Sequence, residues 1–410
     1  MNRRYDQLFG DIVTILRRDY AGAALLDERR FDPRYYNQAV GQAWHDDRLD
    51  ELLFLRYINQ MLACTGDRHL RLALRLEGYT PWSPGFYTRR YGDSLCVTAV
   101  THETRLAPGD RLTALNGGSP AKHRALFQKN FLYADTPERE DWNGALKMTD
   151  AVDVLYADGG TERLWLSHHP LAPPVIERAC RSMADGVLYL RPGAFDGGAA
   201  AFIAAHTAAI QNASGLIVDL RNAYGEDEDD MLALLPFVCR ADTPLSALVD
   251  SSYYVNYTRF NCMLLAAPLV NVPGMEETVA ELARLSDSGM TLEDDGDDTV
   301  IPGAAPARVA VLTDTWTRGA AERAALAASN AGARIIGRPS LGTIDFRGDV
   351  SYELDDRFVL TWPTVISAAA WEGEGVIGRG VPVHDHIPWT PGELRSDTPL
   401  DAALQYIRRS

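Results

Sequence analysis

The chain has 410 residues, of which 46% are hydrophobic and 23% charged, and 40 Lys plus Arg stand against 56 Asp plus Glu for a formal net charge of -16. Ordinary globular composition excludes wholesale disorder, and this length exceeds what one hydrophobic core usually covers, so two or three domains are expected. The acidic balance disfavours phosphate backbones and anionic lipid surfaces, so neither nucleic acid nor membrane is an expected partner.

The opening stretch MNRRYDQLFGDIVTILRRDY scatters Asp6, Asp11, Arg17, Arg18 and Asp19 among its apolar residues, which leaves no continuous apolar core of a signal peptide. No later stretch approaches the roughly 20 apolar residues of a membrane span, and a cytoplasmic location is expected. Leu8, Ile12, Ile15 and Leu16 recur at helical spacing, as do Leu52, Leu53, Leu55, Ile58, Met61 and Leu62. Residues 1–82 therefore read as a helical region, closed by the breaker TPWSPG at 80–85.

Residues 83–169 alternate short β-type runs with turn signals, and their last two runs flank Ala157, Asp158, Gly159 and Gly160 as a hairpin would. Residues 170–410 alternate strands with helices. GVLYLRP, GLIVDLRN, RVAVLTD and ARIIGRP read as strands, with helices at 199–211, 229–239 and 319–331 between them. Such alternation implies a mostly parallel sheet with helical crossovers, whose ligands sit at the carboxyl ends of the strands. The acidic stretch 284–305 reads as a solvated loop. TPLDAALQYIRR reads as a final helix capped by Thr398, with Pro399 at its first position and Leu400, Leu404 and Ile407 on one face.

The five cysteines are widely spaced with no CxxC pair, which predicts reduced thiols. His384 and His386 flank Asp385 and would share one face of a strand, but a third or fourth ligand is missing from the sequence around them. No metal or other cofactor is expected.

Three separated segments carry a family resemblance across nearly the whole chain. INQMLACTGDRHLRLAL resembles LLxxLxDxHxxL of the tricorn-like peptidases, with Asp67 and His69 matching. LAPGDRLTALNGG is similar to the PDZ signature LxxGDxIxxInG, with Leu106, Gly109, Asp110, Leu115, Asn116 and Gly117 matching. GVLYLRPGAF and GLIVDLRNAYGED resemble YLRIxxF and GLIxDLRxNxGG, matching at Asp219, Leu220, Arg221, Asn222 and Gly225 and departing at Ala223, Tyr224 and Glu226. The family is that of the C-terminal-processing peptidases, tricorn core peptidases and retinoid-binding-protein repeats. The resemblance implies a ClpP/crotonase-like, mostly parallel α/β core with a helical N-terminal region and an inserted PDZ-like domain. It also implies that His69 corresponds to the general base, and that the PDZ-like part takes an extended peptide as an added strand.

The segment VAVLTDTWTRGAAERAALAASNAGARIIGRPSLGTIDF resembles the family's nucleophile region. Aligned on Ala321 and Glu322, the family serine falls at Gly319 and the processing-peptidase lysine at Thr343. Acyl transfer needs a nucleophile beside a base and donors for the oxyanion, and glycine supplies no nucleophile. His69 remains a base or a structural histidine, and the N–H groups of Gly225 and Gly319 remain oxyanion donors, next to Arg221 and Asn222. The expected function is non-hydrolytic binding of an extended peptide, a pseudopeptidase that presents a precursor to other enzymes.

The alternative is an active enzyme, either a serine- or threonine-type hydrolase with His69 as base and Thr317, Ser340 or Thr343 as relocated hydroxyl, or one of non-proteolytic chemistry based on His69 and the acids. A third reading, a small hydrophobic ligand, rests only on the retinoid-binding relatives. The acidic run Glu226, Asp227, Glu228, Asp229 and Asp230 reads two ways: as first-turn acids that complement a helix dipole, or as a groove for a basic peptide segment.

Overall fold

Helical periodicity in the first segment turns one face of Tyr5–Arg18 inward, and Leu8, Phe9, Ile12, Ile15 and Leu16 are buried there. The computed structural model describes residues 4–26, 31–75, 82–127, 137–171, 175–294, 296 and 299–409. It divides into two units that are discontinuous in sequence: Met1–Tyr79 with Asp250–Gly296 and Asp345–Ile377, and Thr80–Val249 with Asp297–Ile344 and Gly378–Ser410. Residues 80 and 81 of the expected breaker lie outside the described residues.

In the first unit the helices Tyr5–Arg18, Pro33–His45 and Glu51–Ala63 pack on an antiparallel sheet built from Arg71–Leu74, Ser252–Tyr257, Gly289–Asp294, Phe346–Glu353 and Phe358–Ser367. The third helix buries Phe54, Ile58, Met61 and Leu62, whereas Leu52 stays 52% exposed. Its apolar face is therefore rotated from the one expected, because Phe54 carries more apolar area inward than Leu52 would. The expected loop at 284–305 contains the strand Gly289–Asp294, which pairs antiparallel with Ser252–Tyr257. Cross-strand pairing overrides a local composition that reads as loop. Asp295, Asp297 and Asp298 lie outside the described residues.

A buried polar knot fastens this unit. The Asn261 side chain donates to the carbonyls of Asp19 (2.7 Å) and Asn256 (2.8 Å) and accepts from Trp362 Nε1 at 3.0 Å. Thr258, the cap of the helix Arg259–Ala266, donates to Asp19 Oδ1 at 2.6 Å.

The second unit holds the parallel sheet. Its spatial order is Asp385–His386, Arg334–Gly337, Val309–Thr313, Gly215–Asp219, Val187–Arg191 and Ala179–Ser182, parallel throughout except for the antiparallel edge strand Ala179–Ser182. The near-continuous apolar runs LIV and VAVL are what a strand covered on both faces requires. The helices Ala199–Ala205, Glu228–Leu234 and Ala320–Asn330 contribute to the core on one face, and Thr398–Arg408 covers the other. Asp397, not Thr398, caps that last helix by accepting from Leu400 N, and Pro399, Ala403 and Ile407 are its buried residues. Leu400 and Leu404 pack partly buried against the same core.

Within the same unit, five antiparallel strands follow one another in sequence order: Phe86–Tyr91, Ser94–Val100, Arg111–Leu115, Ala151–Leu155 and Thr161–Trp165. The last two form the hairpin expected around 157–160. The motif LAPGDRLTALNGG supplies its internal ties. Buried Asp110 accepts from the N–H groups of Ala107 (2.7 Å) and Ala157 (3.0 Å). Asn116, at φ +46°, accepts from the N–H groups of Asp150 and Ala151.

Removing the Asn261 amide would leave Trp362 Nε1 and two buried carbonyls without their partner. Asn261→Ala is expected to lower stability by about 3 kcal/mol, read as a shift in the urea midpoint at unchanged slope. A loss below about 0.5 kcal/mol would contradict this account of the knot.

Candidate functional site

Four parallel strands end side by side, and the residues just beyond them carry the chemistry expected of this fold. After Val309–Thr313 the chain makes a tight turn into the helix Ala320–Asn330, and Gly319 caps that helix at φ +61° and ψ -137°. That conformation lies outside the regions open to residues with a Cβ. A Cβ on Gly319 would meet the carbonyl oxygen of Gly225, and Glu226 Oε1 at 2.5 Å. The place of a serine side chain is thus taken by the neighbouring loop.

That loop is fastened to the turn by two backbone bonds, Arg318 N–H to Ala223 O (3.0 Å) and Ala320 N–H to Gly225 O (2.7 Å). A Cβ on Gly225 would land on the Phe195 carbonyl, so this residue must be glycine for the two segments to meet.

The candidate substitute hydroxyls are engaged inside the protein. Thr317 is fully buried, donates to Leu220 O at 2.8 Å and accepts from Asp314 N–H at 3.1 Å. Ser340 is also fully buried, donates to Glu322 Oε1 at 2.5 Å and accepts from Val381 N–H at 2.7 Å. Thr343 donates to Glu322 Oε2 at 2.8 Å and accepts from Gly319 N–H at 3.2 Å. One expected oxyanion donor is thereby turned onto a side chain of the protein itself.

Glu322 organises this turn. It is wholly buried and also accepts the N–H groups of Gly342 (2.5 Å) and Thr343 (2.8 Å). Burial pushes its carboxyl above the usual range, while the four donors work in the opposite sense.

Arg221 lies at the end of Gly215–Asp219 and is bound by two carboxylates, Asp219 (2.7 Å) and Asp397 (2.7 Å). Burial opposes the charge on Asp219, but Arg221 outweighs it and holds that carboxyl below its usual range. Asn222 stands at φ +60°, and its N–H donates to Asp314 Oδ1 at 3.0 Å. Both residues serve to shape the loop.

The acidic run has internal work as well. Asp227 caps Glu228–Leu234 by accepting from Asp230 N–H, and Glu228 pairs with Arg323. Buried Asp230 accepts from Gly197 N–H (2.9 Å) and Ala200 N–H (2.7 Å).

Solved structures share this fold. Mature CPAF complexed with lactacystin matches over 98% of this chain and 97% of its own, at 14% identity and TM-score 0.66. Mature CPAF alone matches over 98% and 96%, at 14% identity and TM-score 0.62. The chain has the fold of CPAF. A looser likeness joins it to the photosystem II D1 C-terminal processing protease, over 99% of this chain and 98% of that one at 14% identity and TM-score 0.46. No protein-family model matches the chain, and no curated protein sequence matches it significantly.

On this peptidase fold a cavity of about 520 Å³ opens beside Asn222 and Tyr224, within the second unit. Arg191, Arg221, Asp314 and Arg338, each at or just beyond the end of a parallel strand, line one side of it; Tyr87, Arg89 and Thr98 of the antiparallel sheet line another. The sequence reading did not single out Arg89, Arg191 or Arg338. For Arg191 and Arg338 the position at the ends of parallel strands was the available signal, since that is where ligands of such sheets bind; Arg89, inside the antiparallel strand Phe86–Tyr91, carried no such signal.

His69 belongs to the first unit. Its Nδ1 lies 2.9 Å from Asp349 Oδ1, and its backbone N–H donates to Asp67 Oδ1 at 2.8 Å. A carboxylate on Nδ1 fixes the tautomer that leaves Nε2 as an acceptor, so the ring is oriented as a base would be. Asp349 sits on Phe346–Glu353, a strand the sequence reading passed over. The metal candidates have other partners: His384 Nδ1 accepts from Ile335 N–H, Asp385 pairs with Arg334, and His386 lies 3.1 Å from Glu138. Among the described residues no cluster of three or more His, Cys, Asp or Glu is placed to hold a metal, and no helix is long and apolar enough to cross a membrane.

Burial pushes the Asp67 carboxyl from the ordinary 3.8 up to about 6, against the opposing pull of His69. A folded-state value above the unfolded one contributes stability that is complete below about 3.8 and lost as pH rises through about 6. Asp67→Asn keeps an acceptor for the His69 N–H and removes the ionisation. Relative to wild type, the variant is expected to gain about 1–2 kcal/mol between pH 5 and pH 7.5, in urea titrations at both pH values. An unchanged difference between the two proteins would refute the assignment.

Proposed function

We propose that this protein is a pseudopeptidase that binds an extended peptide without hydrolysing it. The observation that carries the reading is the occupied turn: a Cβ at Gly319 would collide with Gly225 and Glu226, and the Gly319 N–H is spent on Thr343. Thr317 and Ser340 do not replace the lost serine, because each hydroxyl is buried and donates to an acceptor of the protein itself. A hydroxyl held in this way cannot reach near-attack geometry without breaking two hydrogen bonds.

Binding capacity is supported by the 520 Å³ cavity beside the turn, within the size range of ligand sites. The five-stranded antiparallel sheet is the PDZ-like module of this reading, and its strand edge would accept an added strand of ligand. In the cell, the bound segment would be part of a precursor that other enzymes modify while this protein holds it in the cytoplasm. A hydrolytic reading keeps one supporting observation, the His69 ring oriented by Asp349.

A diverse peptide pool incubated with wild-type protein, His69→Ala and Gly319→Ser, and followed by liquid chromatography and mass spectrometry, tests the reading. The expected result is an unchanged pool in all three, with a subset of peptides retained intact on the wild-type protein. Gly319→Ser is expected to remain inert, because the loop that fills the site of the added side chain is unaltered. Cleavage that disappears in His69→Ala would overturn the proposal.

A further inference from the structure

The arginines of the cavity outnumber its acids. Five arginines line it, Arg89, Arg191, Arg221, Arg318 and Arg338, against the carboxylates Asp141, Asp314 and Glu393. Arg89 pairs with Asp314 at 3.2 Å, Arg338 with Glu393 at 2.8 Å, and Arg221 with Asp219 and Asp397 behind the lining, while Arg318 lies over the Tyr224 ring at 5.0 Å. Asp314 has little left to give, since its Oδ1 already accepts the N–H groups of Asn222 and Trp316. Asp141 accepts from Asn143 N–H at 3.0 Å.

Arg191 is different. It ends the strand Val187–Arg191 and forms no ion pair among the described residues; its only hydrogen bond there is a long one, 3.4 Å from NH2 to Arg221 O. Asp219 feels its charge, but that carboxylate is already held by two nitrogens of Arg221. Buried nitrogens of three lining arginines, Nε of Arg191, Nε of Arg338 and one terminal nitrogen of Arg89, have no hydrogen-bond partner among the described residues. A buried guanidinium nitrogen without an acceptor is costly, and an anion in the cavity would relieve that cost. The wall also carries the rings of Tyr87, Trp316 and Trp389.

We infer that this cavity binds the anionic group of a peptide ligand, with Arg191 as its principal cation and an aromatic or apolar neighbour of that group lying against the tryptophan and tyrosine rings. Planar, two-pronged donation suits a carboxylate, and the inference deepens the peptide-binding reading, on which it rests for the ligand being a peptide. It also gives the ligand a charge opposite to that expected from the acidic run. Within that run Asp227 caps a helix, Glu228 pairs with Arg323 and Asp230 accepts backbone N–H groups, whereas the charge facing the cavity is positive.

The test is calorimetric titration with four probes: acetyl-Phe-Glu-amide, acetyl-Phe-Gln with a free terminal carboxylate, acetyl-Phe-Gln-amide, and 3-phenylpropionate. At least one anionic peptide is expected to bind about ten- to a hundred-fold tighter than the neutral amide, and Arg191→Gln is expected to remove that preference. Whether the side-chain or the terminal carboxylate wins identifies the source of the charge. Arg191→Lys should retain part of the preference, and thermal melts check that each variant folds. Equal binding of neutral and anionic peptides, or an unchanged preference in Arg191→Gln, would overturn the inference while leaving peptide binding intact. Binding of 3-phenylpropionate that depends on Arg191, without binding of any peptide, would support the anion site and remove the peptide reading. No binding of any probe would overturn both.

Discussion

The buried carboxylate of Glu322 is the constraint on which the rest of the site depends. It sits in the first turn of Ala320–Asn330, and its two oxygens take donors from Ser340, Gly342 and Thr343. A carboxylate so far from water persists only when its oxygens are saturated in this way. By holding Thr343 it also decides what the Gly319 N–H meets, and by holding Ser340 it takes that hydroxyl out of chemistry. The same interaction that makes the turn rigid makes it unreactive.

Around that centre the chain has the fold of CPAF, with glycine at position 319 of the strand-to-helix turn. The strand-to-helix turn still presents a backbone at φ +61°, the strained geometry in which hydrolase folds place a nucleophile, yet Glu226 and Gly225 fill the space beyond it. In the cavity next to it the ion pairs Arg89–Asp314 and Arg338–Glu393 run between lining residues, and Arg221 is held from behind by Asp219 and Asp397.

Much of this was legible in the sequence. Apolar runs of three and four residues announced the parallel strands, and Gly225 matched a family position where a Cβ would strike the Phe195 carbonyl, while Gly319 stood out as glycine where the family resemblance expects serine. The acid clusters were legible only by type: that Asp230 would accept two N–H groups while Glu226 would cover Gly319 depends on how Phe195 meets the loop. The strand Phe346–Glu353 was missed because it carries Arg, Gly, Asp and Glu at exposed positions, and with it went Asp349, the partner of His69. The terminal cap fell to Asp397 and not Thr398, a shift of one residue that periodicity does not resolve. Arg191 and Arg338 were hidden because an arginine after a strand looks like an ordinary surface charge until its neighbours are known.

The most direct test of the central claim, that no hydroxyl of this chain serves as a nucleophile, is the intact mass of the protein after prolonged exposure to a fluorophosphonate. The account predicts no adduct on wild type at neutral pH, under conditions that fully label an active serine hydrolase. A stoichiometric adduct that disappears in Thr317→Val or Ser340→Ala would contradict it.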